Sequence, residues 1–151
     1  MLRPVSRSDV RFLRDMLRHA YHWRLSEDAE RPVYRYVRNW GRPGDAGVIA
    51  LEGAHAYGAA WYRLFTADEP GFGFVDEKTP ELTIAVVPSR RGKGAGKELL
   101  EALLERARAD GFKAVSLSTD ERQVPWYEGF GFETVAATPH AVTMIKRLSL
   151  G

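Results

Sequence analysis

Apolar residues recur along the chain with two periods. Val10, Leu13, Leu17, Ala20 and Tyr21 fall at helical spacing, and Ser6 with Asp9 three residues on resembles a capping box, so a first helix is predicted over 8–22. A second, shorter one is predicted over 32–40, where Val33, Tyr36, Val37 and Trp40 share a stripe and Gly41 to Gly44 read as a turn. The period then changes. Runs at 46–51 and 56–65, with a turn at Glu52-Gly53, predict an antiparallel hairpin. A polar segment over 66–79, punctuated by Gly and Pro, reads as a loop of the length that is often functional. A β-branched run over 81–87 ends at Pro88. The strongest helix is predicted over 96–110, with Leu99, Leu100, Leu103, Leu104 and Ala107 on one stripe and Gly111 closing it. A strand over 114–118, a short helix over 124–129 and strands over 133–135 and 141–145 complete the pattern. The order predicts one mixed α/β domain over 1–151 with a strand–helix–strand unit at its centre.

Composition narrows the class. The 151 residues are 44% hydrophobic and 28% charged, which fits a globular domain rather than disorder or a fibrous repeat. Twenty-two Lys and Arg against 20 Asp and Glu leave a net charge of only +2, without the one-signed stripe of a nucleic-acid binder. The absence of cysteine excludes disulfides, a thiolate nucleophile and thiolate zinc ligands. The start carries no apolar leader and no 18-residue apolar run occurs, so a soluble, cytoplasmic chain without a membrane partner or a metal is expected.

The candidate chemistry concentrates in Val86-Val87-Pro88-Ser89-Arg90-Arg91-Gly92-Lys93-Gly94-Ala95-Gly96-Lys97, which joins a strand to the strongest helix. Alternating glycines let successive backbone N–H groups face one concavity, and the helix N-terminus adds its positive end. With Arg91, Lys93 and Lys97 around it, such a turn suits a phosphate or pyrophosphate. It is not a P-loop, because Arg91 and Glu98 stand where a Gly and a Ser or Thr are needed. It is not a dinucleotide fingerprint either, since Lys97 or Leu99 occupies the third Gly position.

Arg91-x-x-Gly94-x-Gly96, flanked by its strand and Leu-rich helix, resembles the acetyl-CoA signature of the GNAT superfamily of N-acetyltransferases. Downstream, Asp120 to Glu133 resembles the family's second hallmark, with Tyr127 on its tyrosine and Gly131-Phe132 on its Gly-Phe. Two positions depart: Asp120 stands for the usual Asn and Gln123 for the usual Ala. Near a pyrophosphate an aspartate would repel by roughly 4 kcal/mol at about 4 Å and an effective dielectric of about 20. Asp120 is therefore expected either to point away from the phosphates or to accept from pantetheine amides.

The resemblance implies a mostly antiparallel mixed sheet whose central strands splay, flanked by about four helices. It implies transfer of acetyl from acetyl-CoA, as cosubstrate, to a primary amine in a ternary complex. In that scheme Ile84, Ala85 and Val86 offer backbone hydrogen bonds to pantetheine. Arg91, Gly92, Lys93, Gly94, Ala95, Gly96 and Lys97 hold the pyrophosphate, and Tyr127 protonates the sulfur. The base that some relatives carry on the strand after the long helix is absent, because Val115 matches that position; Glu81 is the candidate, with Asp76 and Glu77 behind it. Acceptor recognition is expected from the first two helices and the 66–79 loop, whose surroundings carry His19, Tyr21, His22, Trp23, Tyr34, Trp40, Trp61, Tyr62 and Phe65; an aromatic cradle for a cationic amine is one use of such residues. A protein N-terminus is an alternative acceptor, a homodimer is plausible from family habit, and a non-catalytic acyl-CoA-binding regulatory module is the reading from a different class.

Overall fold

The computed structural model describes residues 1–21 and 33–148. Seven strands, β1 (Leu2–Pro4), β2 (Ala46–Glu52), β3 (His55–Arg63), β4 (Glu81–Val86), β5 (Ala114–Thr119), β6 (Glu133–Ala137) and β7 (Val142–Arg147), form one sheet in the order β1-β2-β3-β4-β5-β7-β6. Every neighbouring pair is antiparallel except β4 with β5. Three α-helices lie wholly within the described residues: α1 (Val10–Ala20), α2 (Ala95–Ala109) and α3 (Val124–Glu128). The sheet is mixed and mostly antiparallel, as expected.

Each helix follows from its sequence. Ser6 N donates to Asp9 Oδ2 at 2.8 Å, and Arg3 grips the same carboxylate with both Nη atoms, which fixes the entry to α1. That ion pair lowers the Asp9 pKa to about 2, chiefly through the Arg3 hydrogen bonds. Because Asp9 is recruited, α1 begins with a 3₁₀ turn over Arg7–Asp9. α2 buries Leu99, Leu100, Leu103, Leu104 and Ala107, the predicted stripe, and Gly111 follows it at φ +85°.

Two layers cover the sheet. On one face α2 and α3 pack with Leu82, Val86, Val115, Leu117 and Met144; on the other, α1 and the 33–40 segment pack with Ile49, Ala59, Trp61 and Ala85. Two expectations are corrected here. β1 was not foreseen, since three residues, one of them proline, carry no periodicity. The expected helix over 32–40 begins outside the described residues, and only Val33 and Tyr34 are helical before the chain turns through Asn39, which holds φ +55°. Asn is one of the few side chains that tolerate that region.

The segment keeps its place through β3. Arg63, fully buried, pairs with Asp45 through two hydrogen bonds of 2.9 and 2.7 Å and donates to the carbonyls of Arg35 and Arg38. Trp61 Nε1 donates to Tyr36 O at 3.0 Å.

Candidate functional site

β4 and β5 touch at a single pair, Glu81 with Ser116, closed by Ser116 N donating to Pro80 O at 3.0 Å. Beyond it the strands diverge and leave a cleft of about 370 Å³ in the middle of the sheet. Strand alternation, together with Val87 N donating to Tyr57 O, turns the backbone groups of Ile84 and Val86 into the gap and those of Ala85 toward β3. Ala85 lines the cleft, yet its backbone is not placed for the hydrogen bonds expected of it. The Val86 carbonyl accepts from Arg91 Nε at 2.9 Å, which folds the arginine against the mouth.

The glycine-rich turn caps one end of this cleft. Gly92 and Gly94 hold φ +78° and +86° with open space around them, so backbone conformation, not crowding, demands glycine there. Gly96 is different: a Cβ on it would meet the Trp126 ring at 3.6 Å, an ordinary contact. Gly94 is the N-cap of α2 without a side-chain cap, so the first amides of the helix remain available to an anion. Arg91, Gly92, Gly94, Gly96 and Lys97 line the cleft, whereas Lys93 and Ala95 lie outside its lining. Sequence reasoning left out Arg90, Gln123 and Trp126, which also line it. Arg90 is held by both oxygens of Glu52 at 3.0 and 2.9 Å and stacks over Tyr57.

α3 places Tyr127 on the cleft wall. Pro125 starts the helix, and Phe130 N and Phe132 N both donate to Tyr127 O around Gly131 at φ +93°. Phe132 and Trp126 then pack edge-on against the Tyr127 ring. Burial raises the Tyr127 pKa, and the nearby Asp120 charge raises it further, so the phenol keeps its proton. Asp120 lines the cleft, and its Oδ1 accepts from Gln123 N at 3.2 Å, capping the turn that leads into α3. That capping is a local use for the carboxylate where the family has an amide.

The opposite wall is polar. Alternation puts Glu81, Thr83, Ser116 and Ser118 on the α1 face of the splayed strands. Ser118 lines the cleft with a buried Oγ that has no protein hydrogen-bond partner. α1 ends at Tyr21, whose hydroxyl lies 2.9 Å from Thr83 Oγ1, and His19 and Tyr21 both line the cleft. Glu81 does not. It is 1% exposed, and Tyr36 OH donates to its Oε2. The 66–79 loop is laid over this region: a Cβ on Gly73 would come within 2.5 Å of the Leu117 backbone, and one on Gly71 would run into the Glu81 carboxylate.

The remaining acceptor-side candidates divide. Trp40, Trp61 and Phe65 are core residues of the α1 layer, and Tyr34 is exposed beneath the Arg14 guanidinium. Tyr62 packs on the other face against Phe112 and donates to Asp110, away from the cleft lining. His22 and Trp23 lie outside the described residues. Asp76 and Glu77 are exposed and accept backbone hydrogen bonds from Lys78 and Ala67, which makes them turn residues. Val115 is buried in the α2 layer, where no base is wanted.

A sequence profile of the acetyltransferase (GNAT) family matches residues 10–132. A glucosamine 6-phosphate N-acetyltransferase of Trypanosoma brucei brucei is 43% identical over 49 residues, 32% of this chain and 33% of that protein, so the match spans a third of the relative's length. Among solved structures, a ribosomal-protein-alanine N-acetyltransferase from Brucella melitensis superposes with a TM-score of 0.72 at 21% identity, covering 98% of this chain and 99% of that one. A phosphinothricin acetyltransferase from Sinorhizobium meliloti in complex with acetyl-CoA gives 0.73 at 21% identity, covering 100% and 89%. An aminoglycoside 6'-N-acetyltransferase complexed with coenzyme A gives 0.73 at 18% identity, covering 99% and 97%. Among the described residues no helix is long and apolar enough to cross a membrane.

Proposed function

The chain belongs to the acetyltransferase (GNAT) family, and on that premise we propose that its 151 residues act as one domain that moves acetyl from acetyl-CoA to a primary amine by direct attack. The observation that carries the reading is the cleft itself: a glycine turn opening onto the free amides of α2, continuous with a strand gap into which Ile84 and Val86 face, and Tyr127 on its wall. A pyrophosphate fits the turn, because amides, dipole and the Arg91 and Lys97 cations all favour an anion there. A pantetheine arm fits the gap, because its amides can pair with a strand that lacks a neighbour.

The amine nitrogen attacks the thioester carbon, and the carbon–sulfur bond breaks. Tyr127, kept protonated by burial, hydrogen-bonds the departing thiolate and gives it a proton. The amine must shed a proton of its own, and Glu81 is the carboxylate proposed to receive it. Asp120 serves as an acceptor at the pantetheine end of the cleft. A cytoplasmic location belongs to this reading, since acetyl-CoA is an intracellular metabolite. So does a homodimer, which the exposure of β6 along its whole length at the sheet edge supports.

Calorimetric titration with acetyl-CoA tests the proposal, with ATP and NAD as controls. Micromolar binding that is lost on Arg91→Glu with Lys97→Glu is expected. Absence of acetyl-CoA binding to the unaltered chain overturns the reading. Binding without thiol release for any amine, unchanged in Tyr127→Phe, would instead mark a regulatory acyl-CoA-binding module.

A further inference from the structure

Among the described residues Trp126 is the only exposed large apolar side chain that lines the cleft; it is 38% exposed, whereas Trp40 and Trp61 are buried. Its neighbours fix where it stands. The indole centroid lies 5.0 Å from the Tyr127 ring and 4.8 Å from the Phe130 ring, both approached edge-on. The benzene part of the indole rests against Gly96, where an added Cβ would stand 3.6 Å from Cζ2. Two aromatic rings and the first turn of α2 therefore hold the side chain, yet more than a third of it stays uncovered. An open indole on a cleft wall is a ready contact for an apolar ligand group.

The same contacts say which part of a donor it meets. Tyr127, proposed to face the sulfur, touches the indole, and so does Gly96, in the helix turn whose amides are proposed to hold the pyrophosphate. The stretch of coenzyme A between sulfur and pyrophosphate is the pantetheine arm. Its end next to the pyrophosphate is the pantoyl group, which carries two methyls on one carbon and is the bulkiest apolar part of the arm. We propose that Trp126 is the wall against which those pantoyl methyls pack, a donor-binding residue that reads the arm rather than the nucleotide. The inference rests on the acetyl-CoA reading of the cleft.

Such a contact suits this chain. Asp120 lines the same cleft, and a carboxylate opposes any phosphate placed near it. Affinity drawn from covering methyl groups and an indole is not weakened by that charge. Adenine also stacks well on an indole. It lies beyond the pyrophosphate, however, past Gly96 and away from Tyr127, so the inner position of Trp126 favours the arm.

The test divides the donor into its parts. Calorimetric titration is run with coenzyme A, with 4′-phosphopantetheine, which keeps the arm, and with 3′-phosphoadenosine 5′-diphosphate, which keeps the nucleotide and both bridging phosphates. Each is measured on the unaltered chain, on Trp126→Ala and on Trp126→Phe. Trp126→Ala is expected to weaken coenzyme A and 4′-phosphopantetheine about 10-fold each, as loss of an aromatic anchor does. The nucleotide should bind that variant as before, which also shows that the turn is folded, and Trp126→Phe should restore most of the affinity for the arm. Weakening of coenzyme A and the nucleotide, with 4′-phosphopantetheine unaffected, would put adenine on the indole and overturn the assignment. Equal weakening of all three would overturn it too, leaving Trp126 as a prop for the turn, and so would unchanged affinity for all three. Binding of none of them by the unaltered chain would instead defeat the acetyl-CoA reading from which the inference starts.

Discussion

On the proposed acetyl-donor side of the cleft the parts are neighbours in sequence: β4, the glycine turn and α2 are one continuous stretch, and Tyr127 sits on a short helix with its own proline start and glycine exit. On the proposed acceptor side the parts come from four separated segments. Tyr21 ends α1, Tyr36 lies in the 33–40 segment, Gly71 and Gly73 belong to the 66–79 loop, and Glu81 opens β4. The first side is held by backbone conformation at Gly92 and Gly94, the second by buried side chains that span 25 to 45 residues. One side can therefore be recognised in a window of a dozen letters, and the other exists only when the chain is folded.

The largest effect expected from this contrast comes from the anchor of the acceptor side. Asp45→Ala strands the Arg63 guanidinium in the core, and such a loss costs about 3–5 kcal/mol. Urea unfolding should show a fall of that order, with acetyl-CoA binding preserved in the fraction still folded. Loss of donor binding in step with stability would mean that the two sides are not independently built.

Tyr127→Phe probes the donor side in the same way. Removing the phenol proton should lower turnover about 100-fold while acetyl-CoA affinity stays within experimental error. Because its pKa is raised, the phenol is protonated below and throughout the neutral range, so no loss of rate attributable to Tyr127 should occur as pH rises toward 9. A rate that declines there and becomes flat in Tyr127→Phe would contradict that assignment.

The smallest effect belongs to the entry of α1, which carries Tyr21. The Asp9 carboxyl is lowered to about 2 in the folded state, so it contributes stability above the ordinary carboxylate range. That contribution fades as pH drops from about 4 toward 2, when the folded state must take up the proton. Asp9→Asn should cost about 1 kcal/mol at neutral pH and flatten this acid dependence, as read from thermal unfolding across pH.

Much of this was legible in the letters. The stripe of α2, the β2–β3 hairpin and the glycine turn rest on local periodicity or on conformations that only glycine adopts readily, whereas Tyr127 was singled out by the resemblance of 120–133 to the family's second motif. Glu81 could be singled out by its position before a strand, but not its burial, because what covers it comes from Tyr36 and Gly71. Tyr62 was assigned to the wrong face for a related reason: an aromatic in a strand buried on both sides has no polar alternation to orient it. β1 escaped detection because three residues show no period. Tyr36 looked like one more apolar position in a helical stripe, and nothing in its neighbours signals that its hydroxyl meets a carboxylate.

The meeting of β4 and β5 at one pair leaves the sheet as two half-sheets joined edge to edge only at Glu81 and Ser116. A ligand whose amides lie along the open edge acts as the missing strand and stitches the halves into one cooperative unit. Its binding energy then becomes folding energy: at a hundred times its dissociation constant, a ligand confined to the folded state adds about 2.7 kcal/mol. For such a molecule the supply of cosubstrate sets not only how fast the protein works but how long it stays folded.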